Sequence, residues 1–161
     1  KLSFEKIRFF VIDVDGVMTD GGMYFTASGD EFKKFNVKDG MAIKSWQRAG
    51  KEVGIISAGL STNIVTKRAE MLEIKHVYVG KEAKLSILKQ WAADHGFERS
   101  EIAYIGDDIN DLEVMDWVAV SACPADAVEV VRQKADIILT TPGGGGCIRE
   151  LVDDFLLFEI L

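Results

Sequence analysis

Phe9-Phe10-Val11-Ile12-Asp13-Val14-Asp15-Gly16-Val17 is an apolar run that ends in two aspartates one residue apart. Carboxylates at the mouth of a buried strand are costly unless a nearby charge offsets theirs. A second apolar run, Ile102-Ala103-Tyr104-Ile105, ends the same way, in Gly106-Asp107-Asp108-Ile109-Asn110-Asp111. Two acidic clusters, each closing an apolar run, point to a site for a hard divalent cation. A few oxygen ligands are what Mg²⁺ prefers.

Outward from these runs, short apolar stretches alternate with longer amphipathic ones. The pattern predicts strands at 8–12, 52–56, 76–79, 102–105, 118–120 and 137–139, and helices at 40–49, 62–72, 82–94, 110–115, 126–134 and 147–158. Apolar strands separated by helices make βαβ units. The expected fold is therefore α/β, a Rossmann-like parallel sheet with helices on both faces. With 161 residues and 48% apolar content, a single domain over 1–161 with its own core is expected. One stretch breaks the alternation. Gly21 to Thr26 and Glu31 to Phe35, joined by Ala27-Ser28-Gly29-Asp30, read as a protruding β-hairpin. Isolated hairpins are marginal in water, so aromatic Tyr24, Phe25, Phe32 and Phe35 are expected to pair with copies of the chain.

A net charge of −7 argues against a nucleic-acid partner. No apolar run approaches the roughly 20 residues that span a bilayer, so no membrane partner is expected. The first residues, Lys1-Leu2-Ser3-Phe4-Glu5-Lys6, are too polar for a secretory signal. Two cysteines, Cys123 and Cys147, lack metal-ligand spacing, which makes a reduced, cytoplasmic location the expectation.

Ligands of a parallel α/β sheet bind beyond the carboxyl ends of its strands. The first strand delivers Asp13 and Asp15 there, the second Ser57, and the fourth Asp107, Asp108 and Asp111; Lys84 opens the helix after the third. This set suits phosphoryl transfer through an aspartyl-phosphate. One carboxylate attacks phosphorus, and a second, two residues on, protonates the leaving oxygen and later deprotonates water. Serine and lysine hold the phosphoryl oxygens. Taken singly, Asp-x-Asp is an ordinary polar strand end, Ser57 a turn residue and Lys84 a solvated helix charge; the ordered combination reverses those readings.

That order resembles the haloacid dehalogenase superfamily of phosphatases, with its four motifs at Asp13-Val14-Asp15-Gly16, Ser57, Lys84 and Gly106 to Asp111. Within it, Asp13 to Gly22, the hairpin, Phe35-Asn36-Val37-Lys38-Asp39-Gly40, and the tail from Gly143 to Gly146 with Arg149-Glu150 resemble the 3-deoxy-D-manno-octulosonate 8-phosphate phosphatase family. The resemblance implies a capless domain, a homotetramer built through the hairpin, and a role in lipopolysaccharide precursor synthesis. It implies Asp13 as nucleophile, Asp15 as acid and base, and Mg²⁺ held by Asp13, the Asp15 carbonyl and Asp107, with Asp108 and Asp111 in support. Its sugar-phosphate loop falls on Asn36, Val37, Lys38, Asp39 and Gly40. Lys44 and Arg68 are further candidates for contact with a phosphorylated 2-keto-3-deoxy sugar acid, against ordinary helix surface. The spacing independently favours a missing cap, because the intervals between Asp13, Ser57 and Lys84 leave no room for an extra domain of ~40 residues.

Ser57-Ala58-Gly59-Leu60-Ser61-Thr62 departs from the family, which has an arginine where Leu60 stands; Gly145 also replaces a frequent arginine. Leu60 keeps the nine-carbon 2-keto-3-deoxynononate 9-phosphate in view as substrate. A phosphorylated receiver domain is disfavoured because Asp-x-Asp opens the first strand and the acidic pair follows the lysine. A non-catalytic tetramerisation module is disfavoured because Asp13, Asp15, Lys84, Asp107 and Asp111 are all present.

Overall fold

The computed structural model describes residues 2–158; Lys1 and residues 159–161, which fall within the expected 1–161 domain, lie outside the described residues. In chain order the elements are β1 (Phe9–Ile12), β2 (Tyr24–Phe25), β3 (Glu31–Phe32), α1 (Val37–Arg48), β4 (Glu52–Ser57), α2 (Thr62–Met71), β5 (His76–Val79), α3 (Lys84–His95), β6 (Ile102–Ile105), α4 (Leu112–Trp117), β7 (Val120–Cys123), α5 (Glu129–Lys134), β8 (Ile137–Ile138) and α6 (Cys147–Leu151). Six strands form one parallel sheet in the order β5-β4-β1-β6-β7-β8. Among the described residues no helix is long and apolar enough to cross a membrane.

β1 lies at the centre because it is apolar on both faces. Phe10 and Ile12 join Ile43 and Trp46 of α1, Val65 of α2 and Leu151 of α6. Phe9 and Val11 join Leu88 of α3, Val114 of α4 and Val131 of α5 on the other face. Each such side chain withdrawn from water contributes roughly 1.5–3 kcal/mol. The register aligns Ile12 with Ile55 of β4 and Ile105 of β6. The chain therefore leaves all three strands on one edge, where Asp13, Ser57 and Asp107 gather.

Several element bounds differ from the sequence pattern. α1 begins at Val37, three residues before the predicted start, because the Asn36 side chain caps it by accepting the Lys38 N–H at 2.8 Å. Asn36 to Gly40 is thus a helix's first turn, and the Gly40 N–H is already used on the Asn36 carbonyl. β7 occupies 120–123 where 118–120 was predicted: Ser121, polar but buried, is accommodated by the Asp136 carboxylate, which accepts from its N–H at 2.8 Å and its hydroxyl at 3.0 Å. The last predicted helix is regular only to Leu151 and continues as a widened turn over Val152–Leu156. The hairpin forms, but with two residue pairs, Tyr24 opposite Phe32 and Phe25 opposite Glu31.

Candidate active site

The loop after β1 is set by a close approach that only glycine allows. Gly16 has φ of +86°, and a Cβ there would lie 1.9 Å from Asp107 Oδ2. The Thr19 hydroxyl accepts from the N–H groups of Gly16 (3.3 Å) and Gly21 (3.2 Å). The glycine-rich tail closes over the same loop. Gly144 N–H donates to the Val17 carbonyl at 3.0 Å, and Asn36 Nδ2 donates to the Gly144 carbonyl at 3.2 Å. A Cβ on Gly143 would lie 1.8 Å from the Gly16 carbonyl oxygen. Gly143 to Gly146, whose role the sequence left open, thus packs against the aspartate loop.

Lys84 opens α3 and is buried. Its ammonium donates to Asp13 Oδ1 at 2.7 Å and Asp111 Oδ1 at 2.8 Å. Asp111 is fully saturated: Oδ1 also accepts from the Tyr104 hydroxyl at 2.5 Å, and Oδ2 accepts from the N–H groups of Asp107 (2.9 Å) and Asp108 (3.1 Å). Burial alone would lower the Lys84 pKa, but the Asp13 and Asp111 carboxylates outweigh it and keep the ammonium charged. Burial, then the Asp111 charge, push the Tyr104 hydroxyl well above the usual phenol range, so it stays a donor. Burial, then Asp111, raise the Asp13 carboxyl against the pull of Lys84. Burial pushes Asp107 up to about 6. Tyr104 was missed at the sequence level; its one signal is a hydroxyl in the otherwise apolar run Ile102-Ala103-Tyr104-Ile105.

Carboxylate oxygens of Asp13, Asp107 and Asp111 lie within 4.8 Å of one another. The lone pairs of Asp111 are taken by its four donors, which leaves the facing oxygens of Asp13 and Asp107 free to bind a cation. Two facing carboxylates with raised pKa values are what a hard divalent cation relieves, and the space left by Gly16 keeps Asp107 in reach. The donor set fits Mg²⁺ through Asp13 and Asp107, with Asp111 fixing the loop that carries Asp107.

Asp15 behaves differently from Asp13. Its side chain, 45% exposed, pairs through Oδ1 with Lys33 at 2.7 Å, while Lys33 is only 7% exposed. Ser57 ends β4, is buried, and accepts the Gly59 N–H on its hydroxyl oxygen at 3.2 Å, which leaves its own hydrogen to donate. A cleft of about 220 Å³ is bounded by Asp13, Asp15, Gly59, Asp107, Asp108 and Asn110. Asp108 also accepts the Ile109 N–H at 2.7 Å, which stops the strand and starts the turn.

The remaining candidates do not meet at this cleft. Val37 and Lys38 are exposed on α1. Asp39 is buried and accepts the Arg149 N–H at 3.0 Å, joining α1 to α6. Arg68 lies 5.4 Å above the Phe35 ring and donates to the Asn36 carbonyl at 3.3 Å; a Cβ on Gly40 would touch it at 2.7 Å. Lys44 pairs with Glu73 at 2.6 Å and lines a second cleft with Lys51 and Glu52, at the opposite edge of the sheet.

Comparison with known proteins accords with this geometry. Residues 51–151 match the model of the haloacid dehalogenase-like hydrolase family. The chain is 37% identical over 155 residues to the 3-deoxy-D-manno-octulosonate 8-phosphate phosphatase KdsC of Escherichia coli K12, covering 96% of this chain and 82% of that protein. The crystal structure of the Yersinia pestis 3-deoxy-D-manno-octulosonate 8-phosphate phosphatase superposes with a TM-score of 0.92 at 36% identity, over 96% of this chain and 83% of that one. The Moraxella catarrhalis enzyme, solved with magnesium, phosphate and KDO, gives a TM-score of 0.90 at 32% identity, over 96% and 90% of the two chains. The chain belongs to the haloacid dehalogenase-like hydrolase family.

Proposed function

We propose that the chain is a Mg²⁺-dependent phosphatase that hydrolyses 3-deoxy-D-manno-octulosonate 8-phosphate to the free sugar acid and inorganic phosphate, a step in lipopolysaccharide precursor synthesis. The observation that carries this reading is the buried Lys84 ammonium shared by Asp13 and Asp111, beside Asp107. Mg²⁺ held by Asp13, Asp107 and the Asp15 carbonyl supplies positive charge against the phosphate. Asp13 attacks phosphorus, the bond to the sugar oxygen breaks, and that oxygen takes a proton from Asp15. Water then attacks the aspartyl-phosphate, gives its proton to Asp15, and releases phosphate as the Asp13 carboxylate re-forms. Ser57 and Lys84 hold phosphoryl oxygens. Asn36 to Gly40 with Lys44 and Arg68 were the sequence's candidates for the sugar acid. Of these, Asn36, whose side chain bonds the Gly144 carbonyl over the aspartate loop, and Arg68, which bonds the Asn36 carbonyl, are retained.

One domain over 1–161 carries the activity in the cytoplasm, a reading supported by two buried free thiols, Cys123 and Cys147. Assembly as a homotetramer through the 21–35 hairpin is supported by the exposure of Met23, Tyr24, Phe25 and Phe32 on an arm with two residue pairs. The nine-carbon 2-keto-3-deoxynononate 9-phosphate is the second reading, favoured by Leu60, which is 82% exposed where the family has an arginine.

Turnover on both keto-acid phosphates, glucose 6-phosphate and para-nitrophenyl phosphate tests the proposal. Higher efficiency on the keto acids is expected, abolished by Asp13→Asn and by excess chelator. Full activity in either condition overturns it, and equal efficiency on glucose 6-phosphate removes the sugar acid. Light scattering reports the assembly: Phe25→Glu is expected to yield smaller species, and a monomeric parent chain excludes the tetramer.

A further inference from the structure

We infer that Lys33, delivered by the hairpin, is a positioning residue for Asp15 that decides which oxygen of that carboxylate handles the proton; this rests on the phosphatase reading above. Three observations converge. The Lys33 ammonium, nearly withdrawn from solvent, donates to Asp15 Oδ1 at 2.7 Å. Glu31 holds Lys33 from the other side at 3.2 Å, and Glu31 is itself anchored by the hydroxyl of Ser61, in the loop that follows Ser57. The other oxygen, Asp15 Oδ2, faces the cleft wall: a Cβ built on Gly59 would lie 3.1 Å from Oδ2 and 3.3 Å from Ser57 Oγ.

The division of labour follows from this geometry. With Oδ1 committed to Lys33, only Oδ2 is placed to give a proton to the leaving oxygen and to take one from water. A freely rotating, half-exposed carboxylate would spend much of its time turned away, and misplacement of a transferring group by about 1 Å costs on the order of 100-fold. The hairpin is then part of the catalytic apparatus as well as an exposed arm. It locks the Asp15 loop and the loop after Ser57 to each other through Lys33, Glu31 and Ser61.

The test separates proton delivery from general damage by leaving-group choice. A sugar oxygen must be protonated as it leaves, whereas para-nitrophenolate leaves without a proton. Lys33→Met is expected to lower kcat on octulosonate 8-phosphate by about 10- to 100-fold with KM within about twofold. The pre-steady-state burst of nitrophenolate release should stay close to that of the parent, and Lys33→Arg should restore most of the sugar-phosphate rate. An equal fall on both substrates, no fall on either, or no recovery with arginine overturns the inference. Asp13→Asn run in parallel keeps the two readings apart. Inactive Asp13→Asn with unaffected Lys33→Met defeats only the role of Lys33, while active Asp13→Asn defeats the phosphatase reading itself.

Discussion

The Lys84 ammonium lies 2.7 Å from the Asp13 carboxylate, with the two side chains 4% and 8% exposed. Asp111, fully buried, shares the same ammonium at 2.8 Å. One cation thus serves two carboxylates out of water, an arrangement that is costly without the extra donors from Tyr104 and the loop N–H groups.

Removing that cation strands both carboxylates. Lys84→Met is expected to lower stability by about 3–5 kcal/mol at neutral pH, the usual cost of breaking a buried pair from one side. The loss should shrink in mild acid, where one stranded carboxylate takes up a proton. Thermal denaturation across pH measures it; a Tm equal to that of the parent at neutral pH would show that the Lys84 pairs add no net stability.

Asp107→Asn is expected to have opposite effects with and without Mg²⁺. The folded-state pKa of Asp107 is raised to about 6, so the group stabilises below its unfolded pKa and loses that contribution as pH rises through about 6. At neutral pH asparagine avoids the penalty, and the metal-free Tm should rise. The added stability from Mg²⁺, about 2.7 kcal/mol at a hundredfold excess over Kd in the parent, should largely vanish. Titration of Tm with Mg²⁺ reads both signs, and an unchanged Mg²⁺ response would remove Asp107 from the metal site.

Gly143→Ala tests the seat of the tail on the aspartate loop. Its Cβ would meet the Gly16 carbonyl oxygen at 1.8 Å, a backbone atom that cannot swing aside. A destabilisation of about 1–3 kcal/mol is expected, with a fall in kcat as the Asp13 loop shifts. A variant with parental Tm and kcat would mean that the tail does not constrain this loop.

The sheet and the gathering of Asp13, Ser57 and Asp107 were legible because apolar runs give way to these polar residues and a parallel sheet brings such ends to one edge, where Lys84 opens the helix after the third predicted strand. What was not legible depends on partners distant in sequence. Ser121 reads as the end of a strand until Asp136, 15 residues on, satisfies it inside β7. Tyr104 sits in a strand buried on both faces, where no alternation marks a side chain as special. The helix predicted from Gly40 starts at Val37 because the Asn36 side chain caps it, and in the sequence Asn36 reads only as part of the sugar-phosphate loop. Lys44 lies two turns into α1, where it pairs with Glu73. Lys33 carries no signal at all, since only the fold of the hairpin brings it to Asp15.

Asp39 yields a pH prediction independent of the metal site. It is buried at the junction of α1 and α6, with Oδ1 on the Arg149 N–H and Oδ2 lacking a partner among the described residues. Burial raises its pKa to about 6 against the pull of that N–H and of Arg68 and Arg149. A raised carboxylate pKa stabilises the fold below the unfolded value and loses that contribution as pH rises through about 6, by at most about 3 kcal/mol for a shift of this size. Asp39→Asn retains an acceptor for the Arg149 N–H without a buried charge. Relative to the parent, its Tm should gain steadily between about pH 4 and pH 7 and level off above. Parallel Tm-against-pH curves for the two proteins would show that Asp39 does not titrate in this window and that its burial is not felt as a raised pKa.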